Sequence, residues 1–160
     1  MSVKNLVFTR IDDRLIHGQV CAAWLHAYSN VEHILVIDDK TREDPFMQEM
    51  FSLLVPTGIT IKICSISEAV EILQKGLGKP TMVIVKVPQT IKSLIDAGIN
   101  IDFVNIGGMG MSAGRKKFFQ NISTSPDEDA ILRELIKRGV RVEIQIIPAN
   151  KKTDVASLLK

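Results

Sequence analysis

The stretch Thr81-Met82-Val83-Ile84-Val85-Lys86-Val87 decides the fold class of this chain. It is a short apolar run, rich in β-branched residues, and Pro88 follows it directly. Runs of this kind, without strict polar alternation, are typical of strands that are buried on both faces of a parallel sheet. Similar runs predict strands over residues 3–9, 33–37, 60–64, 102–106 and 140–147.

The segments between these runs carry helical signals. Capping boxes predict helix starts at Ser65 and Ser125, and Asp44-Pro45 predicts another, with the acid as N-cap. Helical periodicity also predicts helices over 18–29, 91–97 and 153–159. The Met, Phe and Leu side chains between residues 46 and 54 are expected to form a buried face, as core and not as a cofactor site. Segment 107–124 breaks the alternation, and we expect an exposed antiparallel strand near a sheet edge, over 117–123.

The alternation of strands and helices predicts an α/β fold. We expect a single doubly wound, mostly parallel sheet of about seven strands, with helices on both faces and one antiparallel strand near an edge. The 160 residues suit one domain, spanning residues 1–160. Ligands bind outside the carboxyl ends of the strands in such sheets. The candidate loops begin near Arg10, Asp38, Ser65, Pro88, Gly107 and Pro148.

Composition excludes several functional classes. The formal net charge is +2 and aromatic residues make up 5%, which argues against a nucleic-acid surface. Cys21 and Cys64 lie in apolar runs and are expected to be buried thiols, not metal ligands or a disulfide. No apolar stretch approaches the roughly 20 residues of a membrane span, and no leader pattern opens the chain. We therefore expect a cytoplasmic protein.

The loop after the first strand concentrates the chemistry, since it holds two arginines, two carboxylates and a histidine just before a helix. Its sequence is Arg10-Ile11-Asp12-Asp13-Arg14-Leu15-Ile16-His17-Gly18-Gln19-Val20. A neutral nitrogen of His17 can attack phosphorus, and Arg10 and Arg14 can neutralise phosphoryl oxygens. The backbone N–H groups of Gly18, Gln19 and Val20 can bind the anion, and Asp12 or Asp13 can hold the imidazole. The residues alone also fit a polar loop of Arg–Asp pairs in which His17 merely caps the helix.

This motif resembles the active-site signature of the enzyme IIB component of the mannose/fructose/sorbose family. That family belongs to the bacterial phosphoenolpyruvate-dependent sugar phosphotransferase system. The resemblance extends to the segments 36–39 and 104–109 and to the region around Ser123, and it runs over essentially the whole chain.

The resemblance implies that His17 accepts a phosphoryl group from a phosphohistidine on a IIA partner, through Nδ1. His17 then donates the group to a sugar held by membrane IIC and IID subunits, which would place the chain at the inner face of the membrane. Arg10, Asp12 and Arg14 would line the phosphoryl site, and neither a metal nor a cofactor is implied. Asp12 is favoured over Asp13 as the residue that orients His17, because the family pattern tolerates other residues at position 13.

Other features have alternative interpretations. Segment 108–113 formally fits a dinucleotide fingerprint, but a strand and not a helix is expected after it. This segment is therefore expected to be a turn beside the His17 loop, with Ser112, Arg115 and Lys116 as options for contact with the phosphoryl group or a partner. Asp38 and Asp39 fit helix capping better than a magnesium site, and His26 and His33 have no second zinc ligand at helical spacing.

Two alternative functions are considered beside the transport relay. The phosphorylated state of His17 could instead control a regulator, or the chain could be a small nucleotide-binding protein.

Overall fold

The computed structural model of the protein describes residues 3–159, so residues 1, 2 and 160 of the expected domain lie outside the described part. The strands are β1 Leu6–Asp12, β2 His33–Ile37, β3 Thr60–Cys64, β4 Thr81–Val85, β5 Phe103–Gly108, β6 Lys116–Phe119, β7 Ile122–Thr124, β8 Arg141–Ile144 and β9 Thr153–Asp154. The helices are α1 Gly18–Ala27, α2 Asp39–Glu43, α3 Met47–Ser52, α4 Ile66–Lys75, α5 Pro88–Asp96, α6 Pro126–Lys137 and α7 Val155–Leu158.

The described residues form a seven-stranded sheet in the order β3-β2-β4-β1-β5-β8-β9. The first six of these strands pair in parallel, and β9 pairs antiparallel with β8 at the edge. The α/β class with a mostly parallel sheet and one antiparallel edge strand is therefore confirmed. Strand β1 lies near the middle, between β4 and β5, so its carboxyl end is surrounded by other strand ends.

The source of the antiparallel strand differs from the expectation. Segment 117–123 does not join the main sheet; strands β6 and β7 form a separate two-stranded antiparallel hairpin. Its turn contains Gln120 at a φ of 50°. The antiparallel edge comes instead from β9, at the start of the segment expected to be entirely helical. The predicted strand over 140–147 ends at Ile144, because the chain turns away there towards β9.

Two apolar layers cover the sheet, one on each face. Strand side chains alternate between the faces. Ile11 of β1 lies in the layer with α4, α5 and α6, whereas Phe8 lies in the layer with α1 and stacks on Trp24 at a centroid distance of 4.8 Å. Arg10 and Asp12 share the parity of Phe8, and Arg10 lies over the Trp24 ring at 5.1 Å. The alternation therefore turns both polar side chains towards α1.

The helix predicted from Asp44-Pro45 is wrong in two respects. Asp44 ends the short helix α2, which is capped by Asp38, and α3 begins only after Phe46. The expected buried face is largely exposed: Phe46 is 72% and Leu53 81% accessible, and of the α3 residues only Phe51 is buried. The physical reason is that α3 is short and packs against β3, an edge strand too narrow to cover it.

The capping boxes at Ser65 and Ser125 are confirmed: each serine accepts from the backbone N–H of the third helical residue, and Glu68 or Glu128 accepts in return. Two strand boundaries shift towards the site. Strand β1 extends to Asp12 and β5 to Gly108, although the sequence suggested that both had ended earlier. Asp12 and Gly108 are therefore the last residues of two sheet strands and not loop residues.

Candidate active site

Asp12 is the centre of the site, at the carboxyl end of β1. Its side chain is fully buried and accepts four hydrogen bonds. One carboxylate oxygen, Oδ2, accepts from Nε2 of His17 at 2.9 Å and from Nη2 of Arg10 at 3.3 Å. The other, Oδ1, accepts from the backbone N–H of Arg14 at 3.0 Å and from its Nε at 3.4 Å. A buried carboxylate with this set of donors is held in one orientation.

His17 stands at the start of α1, in an extended conformation at the N-cap position. Its side chain is 23% accessible and makes no capping hydrogen bond to the helix. The helix-capping interpretation therefore holds for the position of His17 but not for its side chain, which contacts Asp12 instead. The first residues of α1, Gly18 and Gln19, are exposed, and Val20 is half-buried. Their backbone N–H groups stand beside the imidazole at a helix N-terminus.

The turn between Asp12 and His17 is tight. The backbone N–H of Leu15 donates to the Asp12 carbonyl at 2.9 Å, and Leu15 has a φ of 57°, in the left-handed region that β-carbon sterics disfavour. The Leu15 and Ile16 side chains are buried in the apolar layer beneath α1. Burial of these two side chains fixes the turn, and the turn places His17 within hydrogen-bond distance of Asp12.

Arg10 lies beneath Asp12 and not at the open face of the site. The residue is 3% accessible. Its guanidinium donates to Asn105 Oδ1 at 2.6 Å, to the carbonyls of Gln145 and Ile146, and to Asp12. Burial lowers the pKa of Arg10 to about 10, against the opposing effect of the Asp12 carboxylate. Arg10 therefore supports Asp12 from behind.

Arg14 is the cation on the accessible side, since its side chain is 58% exposed while its Nε lies 3.4 Å from Asp12. A cleft of about 470 Å³ opens beside it and is lined by Asp12, Gly110, Asn121 and Ile146 among others. His17, at the N-terminus of α1, and the exposed guanidinium of Arg14 both contact Asp12, which also lines this cleft. Such a set can bind and receive an anionic group.

Gly107 and Gly108 make room for this arrangement, and the sequence did not identify that role. A β-carbon on Gly107 would lie 1.9 Å from Cζ of Arg10, and one on Gly108 would lie 2.6 Å from Oδ1 of Asp12. Only glycine fits on β5 beside these two side chains. The signal in the sequence was the adjacent pair of glycines at the end of a predicted strand.

The remaining candidates are placed elsewhere. Asp13 does not contact His17: it accepts from the backbone N–H of Gly110 and from Arg115. Ser112 and Lys116 are exposed, and β6 begins at Lys116, so no helix follows the glycine-rich segment. Within residues 3–159 no group of three or more His, Cys, Asp or Glu side chains could hold a metal ion.

Cys21 and Cys64 are buried free thiols, and burial raises their pKa values to about 11 and about 12. In the same described part of the chain, no helix is both long and apolar enough to cross a bilayer.

Comparison with known proteins identifies relatives over the whole chain. The family described as "PTS system sorbose subfamily IIB component" matches residues 6–160. The N-acetylgalactosamine-specific phosphotransferase enzyme IIB component 1 of Escherichia coli (strain K12) is 30% identical over 157 residues, covering 97% of this chain and 99% of the relative. The mannose-specific EIIAB component of the same strain is 27% identical over 152 residues, covering 94% of this chain but 47% of that protein.

The fold has a solved counterpart with the same arrangement. The IIBSor domain of the sorbose permease from Klebsiella pneumoniae superposes with a TM-score of 0.88 at 25% sequence identity, covering 99% of this chain and 96% of that domain. The fold and the motif at residues 10–20 therefore point to the same family.

Proposed function

We propose that this chain, which belongs to the sorbose-subfamily IIB components of the sugar phosphotransferase system, carries the transferred phosphoryl group on His17. Its family consists of phosphotransferases that act in sugar uptake. The observation that carries the assignment of His17 is its 2.9 Å hydrogen bond to the buried carboxylate of Asp12. This bond lies within the segment that resembles the family signature.

The hydrogen bond supports Nδ1 as the nucleophile. An ionised carboxylate only accepts hydrogen bonds, so a neutral imidazole bound to it carries its proton on Nε2 and a lone pair on Nδ1. When Nδ1 attacks phosphorus, the new N–P bond forms as the donor's P–N bond breaks. The His17 ring then carries positive charge, because Nε2 keeps its proton. Asp12 stabilises that charge, and Arg10 keeps Asp12 in place behind it.

The phosphoryl oxygens need separate stabilisation, and two groups can supply it. The N-terminus of α1 offers unsatisfied backbone N–H groups at Gly18, Gln19 and Val20, together with the positive end of the helix dipole. The exposed guanidinium of Arg14 adds a positive charge with a forked hydrogen-bonding geometry. In a loose phosphoryl-transfer transition state, positioning and charge neutralisation of this kind make up most of catalysis.

We infer the partners from the family. The phosphoryl donor is a phosphorylated IIA protein or domain, and the acceptor is a sugar delivered by membrane IIC and IID subunits. We place residues 1–160 as one phosphocarrier domain, on the cytoplasmic side of the membrane and associated with it through these subunits. The relatives named above carry three different sugars in their names, so members of the family serve different sugars.

The test is phosphorylation of the purified chain by radiolabelled phosphoenolpyruvate, the general carriers and IIA. We expect one acid-labile phosphate per chain, and a phosphorus NMR signal of phosphohistidine substituted at Nδ1. His17→Ala should abolish labelling. His26→Ala is the matched control, because His26 is exposed on the same helix and should label normally.

A chase then separates transport from a regulatory role. Membranes that contain IIC and IID, together with sugar, should remove the label from the chain and yield a sugar phosphate. Stoichiometric labelling of His17→Ala would refute the assignment of His17. Labelled wild-type protein that never passes phosphate to any sugar would refute the transport relay.

A further inference from the structure

Arg115 is a buried arginine that the proposed chemistry does not use. Its side chain is 8% accessible, although it lies in the glycine-rich connection between β5 and β6. Two of its nitrogens, Nε and Nη2, each donate to a separate oxygen of Glu128 at 2.9 Å. Nη1 donates to the Gly110 carbonyl at 2.8 Å and to Asp13 Oδ2 at 2.9 Å. One guanidinium therefore joins the start of α6, the glycine-rich segment and the active-site turn.

The base of this connection is rigid. Glu128 is itself fixed by the capping box at the start of α6, where it accepts from the backbone N–H of Ser125 at 3.0 Å. Burial alone would raise the pKa of Glu128, but the hydrogen bonds from Arg115 and Ser125 outweigh it and lower the pKa. Hydrogen bonds to Glu128 in turn raise the pKa of Arg115. Both groups thus remain charged, and the pair provides a fixed point beside the site.

Asp13 is the part of the active-site turn that reaches this fixed point. Its Oδ2 also accepts from the backbone N–H of Gly110 at 2.6 Å, and its own N–H donates to the Gly108 carbonyl at 2.9 Å. The next residue is Arg14, and Leu15 beyond it holds its disfavoured left-handed conformation. A strained turn persists only when its surroundings fix it on both sides. Leu15 and Ile16 fix one side through burial, and Asp13 fixes the other.

We propose that Arg115 is a positioning residue that acts through Asp13 to hold the turn between Asp12 and His17 in its phosphate-accepting geometry. The inference rests on the proposed function. It explains why the second acid of the motif points away from His17. It also gives the glycine-rich segment a role in positioning the turn, since Gly110 hydrogen-bonds to both Asp13 and Arg115.

The test is a double-mutant cycle on the rate of phosphoryl transfer from phosphorylated IIA. Asp13→Asn removes the charge on the turn, and Arg115→Lys keeps a positive charge but cannot span Glu128 and Asp13 together. We expect each single variant to lower kcat about 10-fold with KM changed less than about 2-fold, because displaced reacting groups slow the step itself. The double variant should be no slower than the slower single variant, because both remove one connection.

Glu68→Gln is the matched control, because Glu68 also joins a capping box to an arginine, Arg42, but has no link to the active-site turn. It should leave kcat unchanged. Amide hydrogen exchange at Gly110 should quicken in Asp13→Asn and stay unchanged in Glu68→Gln.

Several outcomes would overturn the proposal: wild-type kcat in Asp13→Asn, multiplicative effects in the double variant, or an equal loss of kcat in the control. If Arg115→Lys fails to fold, Asp13→Asn with the exchange measurement decides alone, since Asp13 is partly exposed and its substitution leaves α6 intact. Failure of the proposed function is distinguishable, because the wild-type chain would then accept no phosphate at all.

Discussion

Two pairs of adjacent aspartates follow the same kind of strand in this molecule, and they do different things. Asp12-Asp13 ends β1 and Asp38-Asp39 follows β2. In each pair the first acid accepts from a backbone N–H of the turn that follows it, Arg14 for Asp12 and Thr41 for Asp38. The local backbone chemistry of the two pairs is therefore similar.

The difference lies in what else reaches the carboxylates. Asp38 accepts a second hydrogen bond from the Thr41 hydroxyl, and Asp39 accepts from the backbone N–H of Ile66, so this pair fixes the starts of α2 and α4. Asp12 is fully buried and faces His17 and two arginines. An acid pair therefore becomes a site where the fold brings a histidine and cationic side chains to it. Three substitutions test this contrast.

The largest effect is expected for Asp12→Asn. An amide presents an NH₂ group in place of one oxygen, so a donor must face either the His17 and Arg10 pair or the two Arg14 nitrogens. We expect phosphoryl transfer from IIA to slow about 10²- to 10³-fold, since His17 loses both its tautomer control and its charge stabilisation. Rapid-quench labelling with phosphorylated IIA measures the rate. Transfer within twofold of the wild-type rate would contradict the role of Asp12.

An intermediate effect is expected for Gly107→Ala. The added β-carbon would overlap the Arg10 guanidinium, and nothing similar restricts the surroundings of Asp38. We expect a loss of about 1–3 kcal/mol in the free energy of unfolding, measured in urea, together with slower transfer to His17. Gly78→Ala is the control, because a β-carbon there meets nothing within 4 Å. Equal stability of the two variants would mean that Arg10 moves aside without cost.

The smallest effect is expected for Asp38→Ala, which completes the contrast. Removing this cap from α2 should cost about 1 kcal/mol in the free energy of unfolding. The rate of phosphoryl transfer should stay within about twofold of the wild-type rate, because Asp38 contacts no site residue. A rate loss comparable to that of Asp12→Asn would show that the two acid pairs are not functionally distinct.

Several features that depend on residues close together in the sequence were predicted correctly, whereas several that depend on distant segments were not. The capping boxes at Ser65 and Ser125 depend on residues three positions apart, and both were predicted correctly. Asp12 and His17 are five positions apart and belong to one short motif, so their contact could be predicted from the sequence. The apolar residues of α3 were misplaced because their burial depends on how far a neighbouring strand extends, which periodicity does not report.

The functions of Arg10, Gly107 and Arg115 could not be read in the same way. Arg10 belongs to a polar segment of the sequence, but its buried guanidinium donates to Asn105 on β5 and to two carbonyls just after β8. The overlap that excludes a β-carbon at Gly107 comes from a side chain on a different strand. Arg115 reaches Asp13 across 102 positions. Each role arises from a packing contact between distant segments.

The amino-acid sequence was sufficient to predict the α/β fold class, the apolar strands and the segment at residues 10–20 that is proposed to carry the chemistry. These follow from local propensity, hydrophobic pattern and a compact motif, all encoded within a few neighbouring residues. The tertiary structure alone places Arg10 beneath Asp12 and joins Asp13 to Arg115. Those outcomes depend on segments up to 136 positions apart meeting at one edge of the sheet. Their spacing in the chain therefore carries no trace of them.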